Sequence, residues 1–244
     1  MKTKIVTIIA LITWIRFGCA QGFVNLDFNS ANIPDGTPQG SFVPIADAIP
    51  GWTAYYGNSQ QTSVLYDAGA IGSVNIAIID ANNPAIGLIP GDNYTVFLQS
   101  GNNGGDGGAP NATASIAQTA MIPSTAESIV FTASFPYEAG WQITIDGLPI
   151  SVSQIGTVGG SYGIFAGNVS PYAGRADQLL EFTALYGGYS SGVNVSLGNI
   201  AFSTSPVPEP SSFGLFALGG MFVVCLHWRK PSPKVSPDSS PCEH

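Results

Sequence analysis

Carboxylates dominate the side chains that could do chemistry in the central part of this 244-residue chain. Between Gln21 and Ser205 the sequence has no Cys, no His and no Lys. Nucleophilic triads need a histidine base, zinc sites need His or Cys ligands, and a phosphate-binding loop needs its lysine. These enzyme and metal classes are therefore excluded for the central region.

Two carboxylates on either side of a glycosidic bond are the remaining catalytic arrangement that the inventory allows. The candidates in this sequence are Glu127, Glu138, Asp146, Asp177 and Glu181. Glu138 lies three residues before Trp141, so it could stand beside an aromatic platform for a sugar. No spacing singles out a pair, however. We therefore prefer the alternative that these are surface and turn carboxylates, and we predict no catalytic residue.

Calcium remains possible, because it takes oxygen ligands from carboxylates, amides and carbonyls. Asp106 is the only charge in the glycine-rich segment 101–111, and Asp27 and Glu181 lie on an early and a late predicted strand. These three carboxylates are the candidate calcium ligands, and we expect no other cofactor. A plain interstrand loop is the alternative for segment 101–111.

Aromatic side chains offer a second binding chemistry, because a ring face combined with a polar group suits sugar recognition. The candidate glycan contacts are Trp52, Tyr56, Trp141, Tyr172 and Arg175. For each tryptophan, packing in the core is the competing interpretation. Arg175 is the only cation between residues 21 and 205, and it could instead form an ion pair with Asp177.

The charge balance separates this chain from nucleic-acid-binding proteins. Only 9% of its residues are charged and its formal net charge is −8. Residues 21–205 carry twelve acids and one arginine, a net charge of 1 − 12 = −11. Phosphate binding needs clustered basic residues, so no nucleic acid partner is expected.

Short alternating apolar runs between Gly, Pro and Asn predict one all-β domain over residues 21–204, a jelly-roll β-sandwich. Asp146-Gly147 predicts a hairpin, since glycine accepts a positive φ. The predicted strands are Val24–Phe28, Trp52–Tyr56, Ser63–Tyr66, Val74–Ile79, Tyr94–Ser100, Ala114–Thr119, Ser128–Ser134, Gln142–Asp146, Ile150–Gln154, Tyr162–Phe165, Gln178–Tyr186, Val193–Leu197 and Asn199–Ser203.

Both ends of the chain resemble targeting segments. Residues 1–20 have basic residues, an apolar run and a small-residue site ending at Ala20, which predicts a secretory signal peptide. Residues 205–230 contain Val207-Pro208-Glu209-Pro210, then the apolar run Phe213–Trp228, then Arg229 and Lys230. This run predicts a transmembrane helix with its basic side in the cytoplasm. Residues 231–244 are predicted to be a disordered cytoplasmic tail.

The order of these C-terminal features resembles the PEP-CTERM sorting signal of exported bacterial proteins. The resemblance implies that an exosortase, a membrane transpeptidase-like enzyme, recognises the Pro-Glu-Pro motif. It also implies an inner-membrane intermediate, which then passes to the cell envelope or the extracellular matrix. Prolines keep this segment extended, so a membrane-embedded enzyme can reach it.

Segment 162–203 resembles the last strands of galactose-binding-like jelly-roll domains. In those domains the closing strand often reads Leu-Asp-Asn-Ile, whereas here Gly198 stands in place of the Asp. The resemblance implies a carbohydrate-binding or matrix-associated module. We therefore expect a non-enzymatic exported protein with exosortase, membrane and polysaccharide as partners. A carboxylate-dependent glycosidase is the alternative.

Overall fold

The computed structural model describes residues 22–69, 72–82, 86–101, 111–134, 140–186 and 193–207. Within these ranges the chain is almost entirely β-structure. Its strands are β1 (Phe42–Pro44), β2 (Thr53–Tyr56), β3 (Ser59–Gln60), β4 (Ser63–Tyr66), β5 (Asn75–Asp80), β6 (Tyr94–Gln99), β7 (Ala114–Ala120), β8 (Ser128–Ser134), β9 (Trp141–Ile145), β10 (Leu148–Pro149), β11 (Val152–Val158), β12 (Tyr162–Asn168), β13 (Gln178–Ala184) and β14 (Asn194–Ser203). One helix, α1 (Ile45–Ala48), and one 3-10 turn, η1 (Ser170–Tyr172), accompany them.

The strands form two sheets that pack as a sandwich. The first has eight strands in the order β1-β4-β5-β6-β14-β8-β12-β11, and the second has six in the order β10-β9-β13-β7-β2-β3. Strand neighbours are antiparallel except β4 and β5. Along β13 the side chains of Leu180, Phe182 and Ala184 are buried, whereas Leu179 before them is exposed and Glu181 and Thr183 between them are only partly buried. This two-residue period places one face of each sheet on the core, and the predicted all-β sandwich is confirmed.

Aromatic residues fill the space between the sheets. Phe131 of β8 packs edge-on against Phe182 of β13, with ring centroids 5.4 Å apart, and stacks on Phe165 of β12 at 5.6 Å. Such pairs stabilise beyond the area that they bury. The large apolar core explains how a cysteine-free domain of this length holds its fold.

The structure corrects several predicted strand boundaries. Val24–Phe28 is not a strand, because Asn25 and Phe28 have positive φ values of 51° and 60° and the segment turns. The two predicted strands after Val193 are a single strand, β14, whose register shifts between Gly198 and Ala201. The predicted Asp146-Gly147 hairpin is confirmed, with φ values of 51° and 75° joining β9 to β10.

One end of the sandwich gathers both ends of the described chain. Ser203 pairs with Ser128, which pairs with Asn168, so β14, β8 and β12 meet there. In the other sheet Gln178 pairs with Ala120. The connections Met121–Glu127 and Val169–Asp177 join the two sheets at this end. They are hydrogen-bonded to each other: Val169 N donates to Glu127 O at 3.1 Å and Ile122 N to Arg175 O at 3.2 Å.

The N-terminal part of the described chain reaches the same end, since Gly22 forms a β-bridge with Met121. The C-terminal part leaves from it after Ser203. We call this the terminal end of the sandwich. It comprises the connections Met121–Glu127 and Val169–Asp177, the turn at Asp146-Gly147, Gly22 and residues 203–207.

The chain divides into two compact units, Met1–Val207 and Pro208–His244. The predicted signal peptide, the helix Phe213–Trp228, the tail and residues Pro208, Glu209, Pro210, Arg229 and Lys230 lie outside the described residues. Among the helices of the described part, none is long and apolar enough to span a bilayer.

Candidate functional site

Trp52, predicted as a glycan contact, lies in the core. Its side chain is 3% exposed and packs against Phe28 and Phe182, with centroid distances of 5.7 and 6.2 Å. Its Nε1 donates to the carbonyl of Asn25 at 3.0 Å, so the polar edge is satisfied internally. The ring therefore has no exposed face on which a sugar could stack, and the competing interpretation, core packing, describes it.

Tyr56 is half-buried at the end of β2, beside the core. Its hydroxyl accepts a hydrogen bond from the backbone N of Ile76 at 3.3 Å. Burial raises the pKa of this phenol above its usual value of 10.0. Tyr56 thus links β2 of the six-stranded sheet to β5 of the eight-stranded sheet. Its hydroxyl already has a partner.

Trp141 is partly exposed, and its ring packs edge-on against Phe131 and Phe165 at 5.2 and 4.9 Å. Its Nε1 is buried without a hydrogen-bond partner. Beside the ring lies a cavity of about 10 Å³, lined also by Phe182 and Val195. A space of this size holds at most about one water, and its apolar lining offers too few partners for one. The cavity is a packing gap and not a ligand pocket.

Tyr172 and Arg175 are the predicted contacts that remain accessible together. Arg175 is exposed, and its Cζ lies 5.7 Å from the centre of the Tyr172 ring, a cation–π arrangement. Arg175 N donates to Tyr172 O at 3.1 Å, so η1 and the following turn fix the pair at the terminal end. Within the described ranges Arg175 has no ion-pair partner; the predicted pairing with Asp177 is replaced by the contact with Tyr172.

The structure separates two of the predicted calcium ligands. Asp27 is exposed, and its carboxylate accepts hydrogen bonds from the backbone and side chain of Asn29 at 3.1 and 2.9 Å. Glu181 lies in the six-stranded sheet, in register with Ala117 and Thr144. Asp106 lies outside the described residues. Among the residues described, no three His, Cys, Asp or Glu side chains are close enough to hold a metal ion.

A carboxylate that the sequence did not single out lies beside the bulge of β14. Asp92 Oδ1 accepts a hydrogen bond from Asn199 Nδ2 at 2.5 Å, and its Oδ2 is buried without a partner. Burial, reinforced by the negative charge of Asp27, raises the pKa of Asp92 above its usual value. Asp27 and Asp92 are thus the two carboxylates that the fold brings together between the first segment and the last strand.

Two further carboxylates are buried side by side where β4 and β5 end. Asp67 is 4% exposed and Asp80 5% exposed. Asp80 N donates to Asp67 Oδ1 at 3.0 Å, and the Tyr66 hydroxyl donates to Asp80 Oδ2. Burial and the charge of Asp80 raise the pKa of Asp67, and burial followed by the contacts with Asp80 raises that of Tyr66. A pair this deeply buried offers no room for a substrate between its carboxylates.

Four of the five carboxylates considered for glycoside hydrolysis are described: three lie at the terminal end of the sandwich and one lies in β13. Glu127 and Asp177 are exposed in the two connections of the terminal end. Asp146 Oδ1 accepts from Leu179 N at 2.9 Å, so that carboxylate supports the hairpin. Glu181 lies in β13, and Glu138 is outside the described residues.

The chain is held to the sandwich as far as Ser205. Glu127 N donates to Ser203 O at 2.8 Å, Ser128 Oγ donates to Ser205 O at 2.8 Å, and Ser205 N donates to Ser203 Oγ at 3.0 Å. Pro206 and Val207 are the only residues between this anchored segment and Pro208. The Pro-Glu-Pro motif therefore begins three residues after Ser205 in the sequence.

Comparison with known proteins bears on this C-terminal segment. The PEP-CTERM protein-sorting motif matches residues 206–230, which include Val207 to Pro210, the apolar run, Arg229 and Lys230. No curated protein and no solved structure matches the chain. The predicted motif is confirmed by this match, and the chain thus carries a PEP-CTERM sorting motif, which indicates an exported protein sorted by an exosortase across the membrane to the cell envelope or surface.

Proposed function

We propose that this chain is a non-enzymatic protein that an exosortase releases to the envelope surface or extracellular matrix, where its β-sandwich makes weak contact with polysaccharide. The observation that carries the proposal is the direct succession of a folded sandwich, anchored to Ser205, and a sorting motif that begins at residue 206. Sorting leaves the sandwich as the part that acts at the final location.

The types of side chain in the sandwich favour a binding or structural role over an enzymatic one. Residues 21–205 have no His, Lys or Cys, so the catalytic groups that depend on these side chains are missing. Asp67 and Asp80, which do meet, are too deeply buried to reach a glycosidic bond. A carboxylate-dependent hydrolase needs two accessible carboxyl groups flanking the bond.

Tyr172 and Arg175 are the residues that we propose for glycan contact. The guanidinium presents several N–H donors in a fixed plane, and the exposed arginine is held over the Tyr172 ring. Sugar hydroxyls are matched acceptors for these donors. Trp52 is left out of this surface because its ring is buried, and Trp141 because its ring packs on the core.

The sorting step is tested by the mass of the protein recovered from cells that contain the exosortase. We expect a product that begins near Gln21 and ends close to Pro210. Glu209→Gln and Pro208→Ala should accumulate the unprocessed chain in the membrane fraction. Recovery of the wild-type chain with His244 intact would overturn exosortase processing.

Glycan contact is tested by co-sedimentation of the processed protein with exopolysaccharide from the same cells. Arg175→Gln and Tyr172→Ala should reduce the bound fraction several-fold, whereas Glu181→Gln in β13 should leave it unchanged. Equal binding by all four proteins would remove this surface from the proposal. Hydrolysis of the polysaccharide by wild type but not by Glu181→Gln would replace the binding role with the enzymatic alternative.

A further inference from the structure

The terminal end of the sandwich carries exposed apolar side chains. Leu148, beside the turn of the β9–β10 hairpin, is 59% exposed, and Leu179, beside the same turn, is 38% exposed. Both flank the Asp146-Gly147 turn: Leu148 follows it in β10, and Leu179 is bonded to it, since Asp146 N donates to Leu179 O and Leu179 N donates to Asp146 Oδ1, both at 2.9 Å. Val24, two residues after Gly22, is 39% exposed.

The same end is where the chain enters and leaves the sandwich. Gly22 follows the predicted signal peptide, and the anchored segment ends at Ser205. From Ser205 to Phe213, where the apolar run of the sorting motif begins, a fully extended chain spans at most about 29 Å. Chain connectivity alone therefore keeps the terminal end near any bilayer into which that run inserts.

The charges of the terminal end do not favour binding to anionic lipids. Glu127, Asp146 and Asp177 lie at the terminal end, and Arg175 is the only cation there. This balance disfavours attraction to anionic lipid headgroups. Exposed leucines beside a tight turn, with Tyr172 at the same end of the sandwich, instead suit the boundary between headgroups and acyl chains.

We propose that the terminal end lies on the surface of the phospholipid bilayer while the chain is still anchored, with Leu148 and Leu179 in the interface. The contact rests on the membrane stage of the proposed function. Two leucines bind a bilayer weakly, but the tether supplies a high effective concentration, so a weak contact is enough to orient the domain. Processing then frees this surface, including Tyr172 and Arg175.

The test is photolabelling of the full chain in vesicles of phosphatidylcholine that contain a fraction of phosphatidylcholine with a photoactivatable acyl chain, in the absence of exosortase. Peptides are mapped by mass spectrometry. We expect labelling of the peptides with Leu148 and Leu179 at least about fivefold above the peptide with Ile155, which is 41% exposed on β11. Added salt should not change this ratio.

Three variants test the contact further. Leu148→Ser with Leu179→Ser should reduce labelling of the neighbouring Tyr172 peptide severalfold, whereas Ile155→Ser should not. A Gly-Ser spacer of about 16 residues between Ser205 and Pro206 should also reduce it, because effective concentration falls as a tether lengthens. Circular dichroism checks that each variant is folded.

The outcomes separate this contact from the sorting proposal. Labelling of residues 213–228 without the terminal end would overturn the contact alone. No labelling anywhere would overturn the membrane stage and the contact with it.

Discussion

The carboxylate of Asp92 occupies the space into which a side chain at Gly198 would project. A Cβ atom built on Gly198 would overlap Asp92 Oδ2, and it would also lie 3.1 Å from Cδ1 of Ile89. Here the carboxylate comes from the turn before β6, and glycine at 198 makes room for it.

Replacing Gly198 should therefore be destabilising. Gly198→Ala is expected to lower the free energy of unfolding by about 1–3 kcal/mol through overpacking. Gly198→Asp should cost more, because it adds a second carboxylate beside Asp92. Chemical denaturation followed by circular dichroism measures both.

Asp92→Ala provides the control for this steric relationship. Combined with Gly198→Ala, it should recover part of the loss, since the space occupied by the carboxylate becomes free. Strictly additive effects of the two substitutions would contradict direct competition for one space.

Asp67 should make stability depend on pH. Burial and the charge of Asp80 raise its pKa in the folded state above the usual value of 3.8. Between about pH 3.8 and the raised pKa, the folded state binds more protons than the unfolded state. The free energy of unfolding therefore falls as the pH rises through this range. The dependence should be reduced in Asp67→Asn, as measured by denaturation between pH 3.5 and 7.

Asp177→Asn is a suitable control for the pH series. Asp177 is exposed and has a φ of 56°, which asparagine also tolerates. If this variant flattened the pH dependence as much as Asp67→Asn, the buried pair would not be its source.

The two tryptophans of the sandwich should respond differently to phenylalanine. Trp52→Phe removes a hydrogen bond to Asn25 O, which keeps its bond from Phe28 N, at a cost of about 1 kcal/mol beyond the lost volume. Trp141→Phe removes a buried donor that has no partner, so its cost should be smaller. Equal losses in unfolding free energy would show that the polar edges do not matter.

Ser128 should control access to the segment before the sorting motif. Ser128→Ala removes its hydrogen bond to Ser205 O, which should destabilise the sandwich by about 1 kcal/mol and release residues 204–207. Limited proteolysis should then cut this segment faster. Ser134→Ala removes a comparable bond, to Ser196 N, but should leave the rate of this cut unchanged.

Calcium binding should depend on Asp27 and Asp92 if the predicted ion is present, because these are the carboxylates that the fold brings together. We expect a calcium-dependent rise of the unfolding temperature that Asp92→Asn abolishes and Glu181→Gln preserves. The rise is measured as the difference in unfolding temperature between samples with calcium and samples with a chelator. A rise that is lost in Glu181→Gln would place the ion elsewhere.

The sandwich was predictable where alternation and turn chemistry agree. Ser128–Ser134 and Ser63–Tyr66 coincide with their predicted boundaries, and Asp146-Gly147 marks its hairpin. Val24–Phe28 alternates equally well, but its side chains wedge into the margin between the sheets and its backbone turns at Asn25. The short β1 and α1 have too few residues to give a pattern.

The binding residues were less predictable than the fold, because residue type does not reveal burial. Trp52 and Arg175 carried comparable signals as glycan contacts, yet one is 3% exposed and the other exposed. Asp92, Asp67 and Asp80 gave no sequence signal, since they meet only through long-range pairing of strands. The sorting motif needed no folding to be recognised, because its features follow one another along the chain.

The position of β14 has a consequence for the order of events in folding. This last strand lies between β6 and β8 in the middle of the larger sheet, so neither half of that sheet has its partner until residues 194–203 have emerged. The sorting motif follows this strand immediately, from residue 206. The larger sheet can therefore close only once the segment next to the motif is available for pairing.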